Sequence, residues 1–312
     1  MTKDKAFYRS FFSLCIVLML QNIVVISVNL ADNIMLGGFS ETALAGAAAV
    51  NQIQFVFQQL LSATGEGIVI FGSQYWGKHQ HEPVKKITAT ALHTGLALAV
   101  ILFVMVSVMP YRMVGMFTEN EAIVAEGVKY ILIMRFSYLF FAVTMVMQAA
   151  LRCAEMVRIS LYLSIMTFFV NCGINSVLIY GRFGAPRMGI QGAAIGTLTA
   201  RILECVVILC YAANRSHAIT FRGRDFLEES SVLRKDYYKK VAPMMVVQGL
   251  WGLNNAFQTM ILGHMSDSAI AASSVSSTLF LLVKSMAVGA ASSASVIVGK
   301  TIGAGKIDTV KE

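Results

Sequence analysis

The sequence predicts an all-α, polytopic membrane protein, and three observations carry that prediction. Long apolar runs reach membrane-spanning length, Lys and Arg are distributed unevenly between the loops, and one segment recurs 226 residues later. Hydrophobic residues make up 56% of the 312-residue chain and charged residues only 13%. A soluble domain carries about 25% charged residues.

The elements follow in order. Residues 11–31, 42–65, 87–111, 159–181 and 241–266 contain no Asp, Glu, Lys or Arg, and each exceeds the roughly 20 residues that carry a helix across a bilayer. Three further spans hold one or two charges: about 122–151 with Arg135, 189–213 with Arg201 and Glu204, and 268–299 with Lys284. Eight spans result. The short alternating segments of a β-barrel are not visible. Basic residues before the first run imitate a signal peptide. The run continues for about twice the length of an h-region with no small-residue cleavage site, so it reads as a retained first helix.

Orientation follows from the basic residues. With the N-terminus inside, eighteen of the 25 Lys and Arg fall on the inner side, among them Lys3, Lys78, Lys85, Arg152, Arg158, Arg215, Arg234, Lys300, Lys306 and Lys311. Four fall outside: Arg112, Lys129, Arg182 and Arg187. The net charge of +8 is therefore a topology signal and not a nucleic-acid patch. The cysteines, Cys15, Cys153, Cys172, Cys205 and Cys210, form no CxxC pair and read as small buried hydrophobes.

The recurrence sets residues 36–45 (LGGFSETALA) against 262–271 (LGHMSDSAIA). It keeps register through Gly77/Gly303 and Val84-Lys85/Val310-Lys311, and pairs Asn29 with Asn255. Six spans separate the copies, so each copied helix crosses in the direction of its original. This predicts a parallel repeat about an axis normal to the membrane, a plan used by secondary transporters. The expected organisation is a six-span unit over 1–213, a charged linker over 214–240 with Arg222-Gly223-Arg224-Asp225 and Glu228-Glu229, and a partial second unit over 241–312 that repeats 15–86. The expectation extends to a twelve-helix whole of which this chain is about two thirds.

Polar residues within the spans carry the chemistry. With Gln21 at zero and about 100° per residue, Asp32, Asn29, Asn22 and Asn33 fall within one third of the first helix. Gln248, Asn254, Asn255 and Gln258 occupy a similar arc of the seventh. Facing lipid, Asp32 would cost about 2.5–3.5 kcal/mol, so the stripe must face helices or water. An acid at that depth exchanges a proton or holds Na⁺, while the amides suit either interhelical hydrogen bonding or a site. Asn171 and Asn175, at i and i+4 on the fifth span, add two carbonyl oxygens to one side. Asp32, Asn171, Asn175 and a Thr hydroxyl would make the oxygen-rich set that hard cations prefer. Glu66 reads as a relay or a snorkelling acid. Arg135 and Lys284 are expected to reach toward the interface, Arg201 and Glu204 to pair at i,i+3, and His93 to be a core residue.

Several motifs together resemble the multidrug and toxic compound extrusion (MATE) family. They are Asp32-Asn33-Ile34-Met35-Leu36-Gly37, Gln74-Tyr75-Trp76-Gly77, Asn171-Cys172-Gly173-Ile174-Asn175, Gly192-Ala193-Ala194-Ile195-Gly196-Thr197 and Ala242-Pro243. The resemblance covers nearly the whole chain. It implies two six-helix lobes around a central cleft, with this chain holding the first lobe and the first two helices of the second. It also implies export of amphiphilic, often cationic, drugs in exchange for H⁺ or Na⁺, with no other cofactor.

Carried over by position, the family's first-helix acid is Asp32, its fifth-helix pair falls on Asn171 and Asn175, and its sixth-helix Thr on Thr197. The pair is typically Asn and Asp, so the second acid is missing here, which favours H⁺ at Asp32 over Na⁺ held by Asp32, Asn171 and Asn175. Gln21, Asn29, Asn33, Gln54, Gln58, Asn254, Asn255 and Gln258 are the expected cleft residues, on spans one, two and seven. The expected mechanism is antiport by alternating access: protonation of Asp32 in the outward state releases drug. The expected setting is a cell (inner) membrane, as a monomer with its N-terminus cytoplasmic. The alternatives are a lipid-linked saccharide flippase of the same superfamily and an inactive fragment of a transporter. No enzyme motif such as HExxH or GxSxG is present.

Overall fold

The computed structural model describes all residues except 1–4, 215–219, 227, 229, 264–266 and 306–312. Lys3, Arg215, Glu229, Lys306 and Lys311, and part of the recurring segment, lie outside the described residues.

The described chain is helical throughout. Its elements are α1 Lys5–Gly37, α2 Glu41–Gly77, α3 His81–Val108, α4 Pro110–Gly115, α5 Glu121–Cys153, α6 Arg158–Tyr180, α7 Ile190–Ala213, α8 Ser231–Gly263 and α9 Asp267–Gly303. Seven stretches among them are long and apolar enough to cross a membrane. They lie in α1, α2, α3, α5, α6, α7 and the second half of α9 (Val283–Gly303).

The eighth expected span is a helix, yet α8 is less apolar than its neighbours. It opens on Arg234, Lys235, Asp236, Lys239 and Lys240 and later carries Gln248, Asn254, Asn255 and Gln258. Two more boundaries differ from expectation. The third span stops at Val108 because Pro110 follows; a residue before proline leaves helical space, and Pro110 then opens the short α4. The linker is shorter than 214–240, since α8 already begins at Ser231. Its earlier part docks on α3: Lys85 pairs with Asp225 at 3.4 Å, and Phe221 is buried and stacked on Phe226.

Side chains fix the helix starts. The Ser40 hydroxyl accepts from the Ala43 N–H at 3.4 Å at the start of α2, and the Asn120 side chain accepts from the Ala122 N–H at 3.0 Å at the start of α5. The core gathers around α5, which packs on α2, α3 and α7. Tyr138 is fully buried there, edge-on to Phe57 of α2 with ring centres 5.6 Å apart. α1 lies mainly against α6 and α9, and α8 and α9 both lie against α2 while scarcely touching each other.

The α2–α9 contact is reciprocal. A side chain at Gly77 would collide with the Lys300 backbone carbonyl, and one at Gly303 would collide with the Gln74 carbonyl. Gly77 and Gly303 are 226 residues apart, as are Gln74 and Lys300. Between them Gly299 abuts the Ser73 hydroxyl, and these two residues are also 226 apart. Only glycine lets the two backbones approach this closely.

Candidate cation site

The upper part of α1 reaches α6 at Asp32. One amide hydrogen of Asn175 goes to Asp32 Oδ1 at 2.6 Å and the other to Asn171 Oδ1 at 3.1 Å. Asn171 in turn donates to Thr197 Oγ1 on α7 at 3.1 Å. The four residues singled out for cation coupling therefore form one chain of hydrogen bonds across three helices. The spacing explains why: i and i+4 bring both Asn side chains to the face of α6 that meets α1 and α7. Asn171, Asn175 and Thr197 are buried and Asp32 is partly so. Tyr130 of α5, also buried, lies beside Thr197.

Nearly every acceptor in this chain is occupied. Asn175 Oδ1 is the exception, buried without a partner and pressed against Gly196, where any side chain would collide with it. The amides thus turn N–H groups, not oxygens, toward the carboxylate. As arranged, the cluster stabilises a charged carboxylate by hydrogen bonding and is not an open oxygen cage. No group of three His, Cys, Asp or Glu with metal-binding geometry occurs among the described residues.

A second polar layer lies deeper along the same helices. Gln21 donates to Gln148 Oε1 on α5 at 3.1 Å, and Gln148 donates to Glu204 Oε1 on α7 at 3.1 Å. Arg201 closes the layer on Glu204 Oε2 at 2.8 Å, with its guanidinium 4.7 Å from the centre of the Phe141 ring. The Arg201–Glu204 pair was expected; its extension to Gln148 and Gln21 was not. Gln148 is the one carboxamide between residues 121 and 153, which was the available signal. This placement corrects Gln21: it is buried within the bundle and hydrogen-bonded, not a cleft-lining residue.

The remaining cleft candidates divide. Asn29, Asn33, Asn254 and Gln258 are exposed, while Gln54, Gln58 and Asn255 are half-buried. Asn255 spends its amide on the Trp251 carbonyl of its own helix at 2.9 Å. Asn22 reaches the Ser285 carbonyl of α9 at 3.5 Å. Lys284 does not extend to an interface: its ammonium sits 3.1 Å from the centre of the Trp251 ring. Arg135 is also turned inward, donating to Ser107 at 3.0 Å between Phe103 and Phe136. Glu66 faces Arg152 at 4.0 Å, and Arg152 donates to Ser292 of α9 at 3.0 Å. His93, expected in the core, is exposed, and so is Cys210.

Known proteins place this arrangement. The chain is 27% identical over 274 residues to "Probable multidrug resistance protein YoeA" of Bacillus subtilis, a match covering 85% of this chain and 58% of that protein. It is 24% identical over 189 residues to "Probable multidrug resistance protein NorM" of Thermotoga maritima, covering 60% and 40%. A solved MOP superfamily transporter from Pyrococcus furiosus superimposes with a TM-score of 0.84 at 17% identity, over 97% of this chain and 66% of that one. The chain thus has the helical-bundle fold of these transporters and spans less than two thirds of each. The MatE family profile matches residues 18–177, from the middle of α1 through the Asn171–Asn175 pair, and this protein belongs to the MatE family of membrane transporters.

Proposed function

We propose that the chain works in cation-coupled export of amphiphilic or cationic compounds by alternating access, with Asp32 as the coupling acid and H⁺ as the ion. The observation that carries this is the hydrogen-bonded chain Asp32–Asn175–Asn171–Thr197, which ties the acid to two other helices. A proton arriving on Asp32 removes the charge that the Asn175 N–H stabilises, weakening the α1–α6 connection at the moment of exchange. Na⁺ would require three or more oxygens to converge, and here the Asn171 and Thr197 oxygens are engaged with amides.

In this reading residues 1–213 form one lobe, 214–240 a cytoplasmic linker and 241–312 part of the second lobe. The uneven distribution of Lys and Arg supports a cytoplasmic N-terminus in a cell (inner) membrane. Drug would enter the cleft beside the exposed Asn29, Asn33, Asn254 and Gln258, with the half-buried Gln54, Gln58 and Asn255 behind them. The close α2–α9 contact and the Lys300–Glu155 pair at 2.7 Å lie at the basic end of the molecule, which supports a state closed there. A flippase for pyrophosphate-linked sugars needs free cations in its cavity. Arg201, Arg135 and Lys284 are each occupied, by Glu204, by Ser107 and by Trp251.

The test is drug-dependent proton flux in proteoliposomes containing this chain or its Asp32→Asn variant. Flux in the wild type that vanishes in the variant, with drug binding kept, is expected. Concentrative export by the variant would end the proposal for Asp32, and Na⁺-dependent, pH-independent flux would end it for H⁺.

A further inference from the structure

At the basic end, the starts of α1 and α6 lie side by side and enclose a cavity of 460 Å³. Arg9, Ser13, Leu14 and Val17 line it from α1, and Glu155, Val157 and Arg158 from the start of α6. The floor is apolar: Leu14 and Val157 are buried in one small cluster with Val17 packed on it. Glu155 is engaged by Lys300 at 2.7 Å. Arg9 and Arg158 are both exposed, and neither has an acidic partner among the described residues. Two guanidiniums therefore share one concave site with no carboxylate to neutralise them.

What surrounds the cavity identifies its ligand. On α1, Arg9, Phe12 and Ile16 stand at i, i+3 and i+7 and share one face, with Phe12 55% and Ile16 54% exposed. On α6, Arg158, Tyr162 and Phe169 stand at i, i+4 and i+11 on one face, with Tyr162 64% and Phe169 67% exposed. Each arginine thus heads an uncovered apolar stripe of a membrane helix, and the two helices run in the same direction from the cavity. A soluble anion would use the guanidiniums and leave both stripes unused. A diacyl phospholipid would use all three features: phosphate on the arginines, one acyl chain along each stripe.

We propose that this cavity seats the headgroup of one anionic phospholipid, bound through its phosphodiester by Arg9 and Arg158, with its chains lying on α1 and α6. The site is remote from Asp32 and does not depend on the transport reading. A zwitterionic lipid carries its own cation and gains less from the unneutralised pair.

Native mass spectrometry of the detergent-solubilised, delipidated chain tests this, with phosphatidylglycerol, phosphatidylcholine and water-soluble glycerophosphate as probes. The expected result is a 1:1 phosphatidylglycerol adduct that outcompetes phosphatidylcholine and is not displaced by glycerophosphate. Arg9→Gln/Arg158→Gln should weaken the preference about tenfold. Arg9→Lys/Arg158→Lys should retain part of it, and Arg112→Gln, at the opposite end, all of it. An unchanged preference in the Gln double variant overturns the site. Displacement by glycerophosphate overturns the lipid in favour of a simple anion site. Equal loss in Arg112→Gln overturns the location. If the Gln pair does not fold, the Lys pair decides, because complete retention of headgroup discrimination after loss of the bidentate fork would contradict phosphate capture by guanidinium.

Discussion

The Asn175 amide donates a 2.6 Å hydrogen bond to the Asp32 carboxylate, so the helix carrying the acid is held to its neighbour through the acid itself. Asn175→Asp would replace that donor with a second carboxylate in contact with the first. Two such groups must share a cation. Na⁺ should then raise the melting temperature of the variant and not of the wild type, by the equivalent of about 2.7 kcal/mol at a hundredfold excess over Kd. A thermal melt with and without Na⁺ reads this directly, and identical curves for the two proteins would exclude it.

Glu204 is nearly inaccessible and accepts from both Gln148 and Arg201. Glu204→Gln leaves the Arg201 cation inside the bundle without its counter-charge. The expected loss is about 3–5 kcal/mol, the cost of breaking a buried pair from one side. Arg201→Met/Glu204→Gln should recover most of it. The double-mutant cycle, read by thermal melting, separates this from simple loss of packing.

Gly77→Ala and Gly303→Ala should be equally damaging, because each methyl meets a backbone carbonyl of the other helix. Backbone cannot rotate away as a side chain does, so each should cost about 1–3 kcal/mol of α2–α9 association. Crosslinking yield between cysteines placed on the two helices measures it. A tolerated change at one site with a severe one at the other would contradict the reciprocity.

Lys300 and Glu155 are 2.7 Å apart, but both are partly exposed. Glu155→Gln should therefore change global stability by less than about 1 kcal/mol. The effect should be local: faster amide exchange at the end of α9, by hydrogen–deuterium mass spectrometry, with the α1–α6 region unchanged.

The fold was legible because membrane helices announce themselves by length and lack of charge. The quartet Asp32, Asn171, Asn175 and Thr197 was legible because two of its members share a helix face and an intramembrane acid requires company. Partners across helices were harder to read. Nothing in the sequence states that Gln21 and Gln148 stand at the same depth, since that depends on the relative shift of α1 and α5. Lys284 and Arg135 were misjudged for a related reason. A long cationic side chain reaches either the interface or an aromatic ring, and the choice depends on where Trp251, Phe103 and Phe136 happen to be. The start of α8 was hidden by its charges, which mark a loop and an exposed helical turn equally well.

The glycines of α2 and α9 have a historical consequence. Residue i of one copy touches residue j of the other while j touches i, with Ser73 and Gly299 meeting at the middle. That is the contact rule of a two-fold homodimer. A single ancestral half bearing this helix would have possessed a self-complementary surface before any gene fusion. The fused chain preserves a dimer interface inside one polypeptide, where its two faces have since been free to diverge.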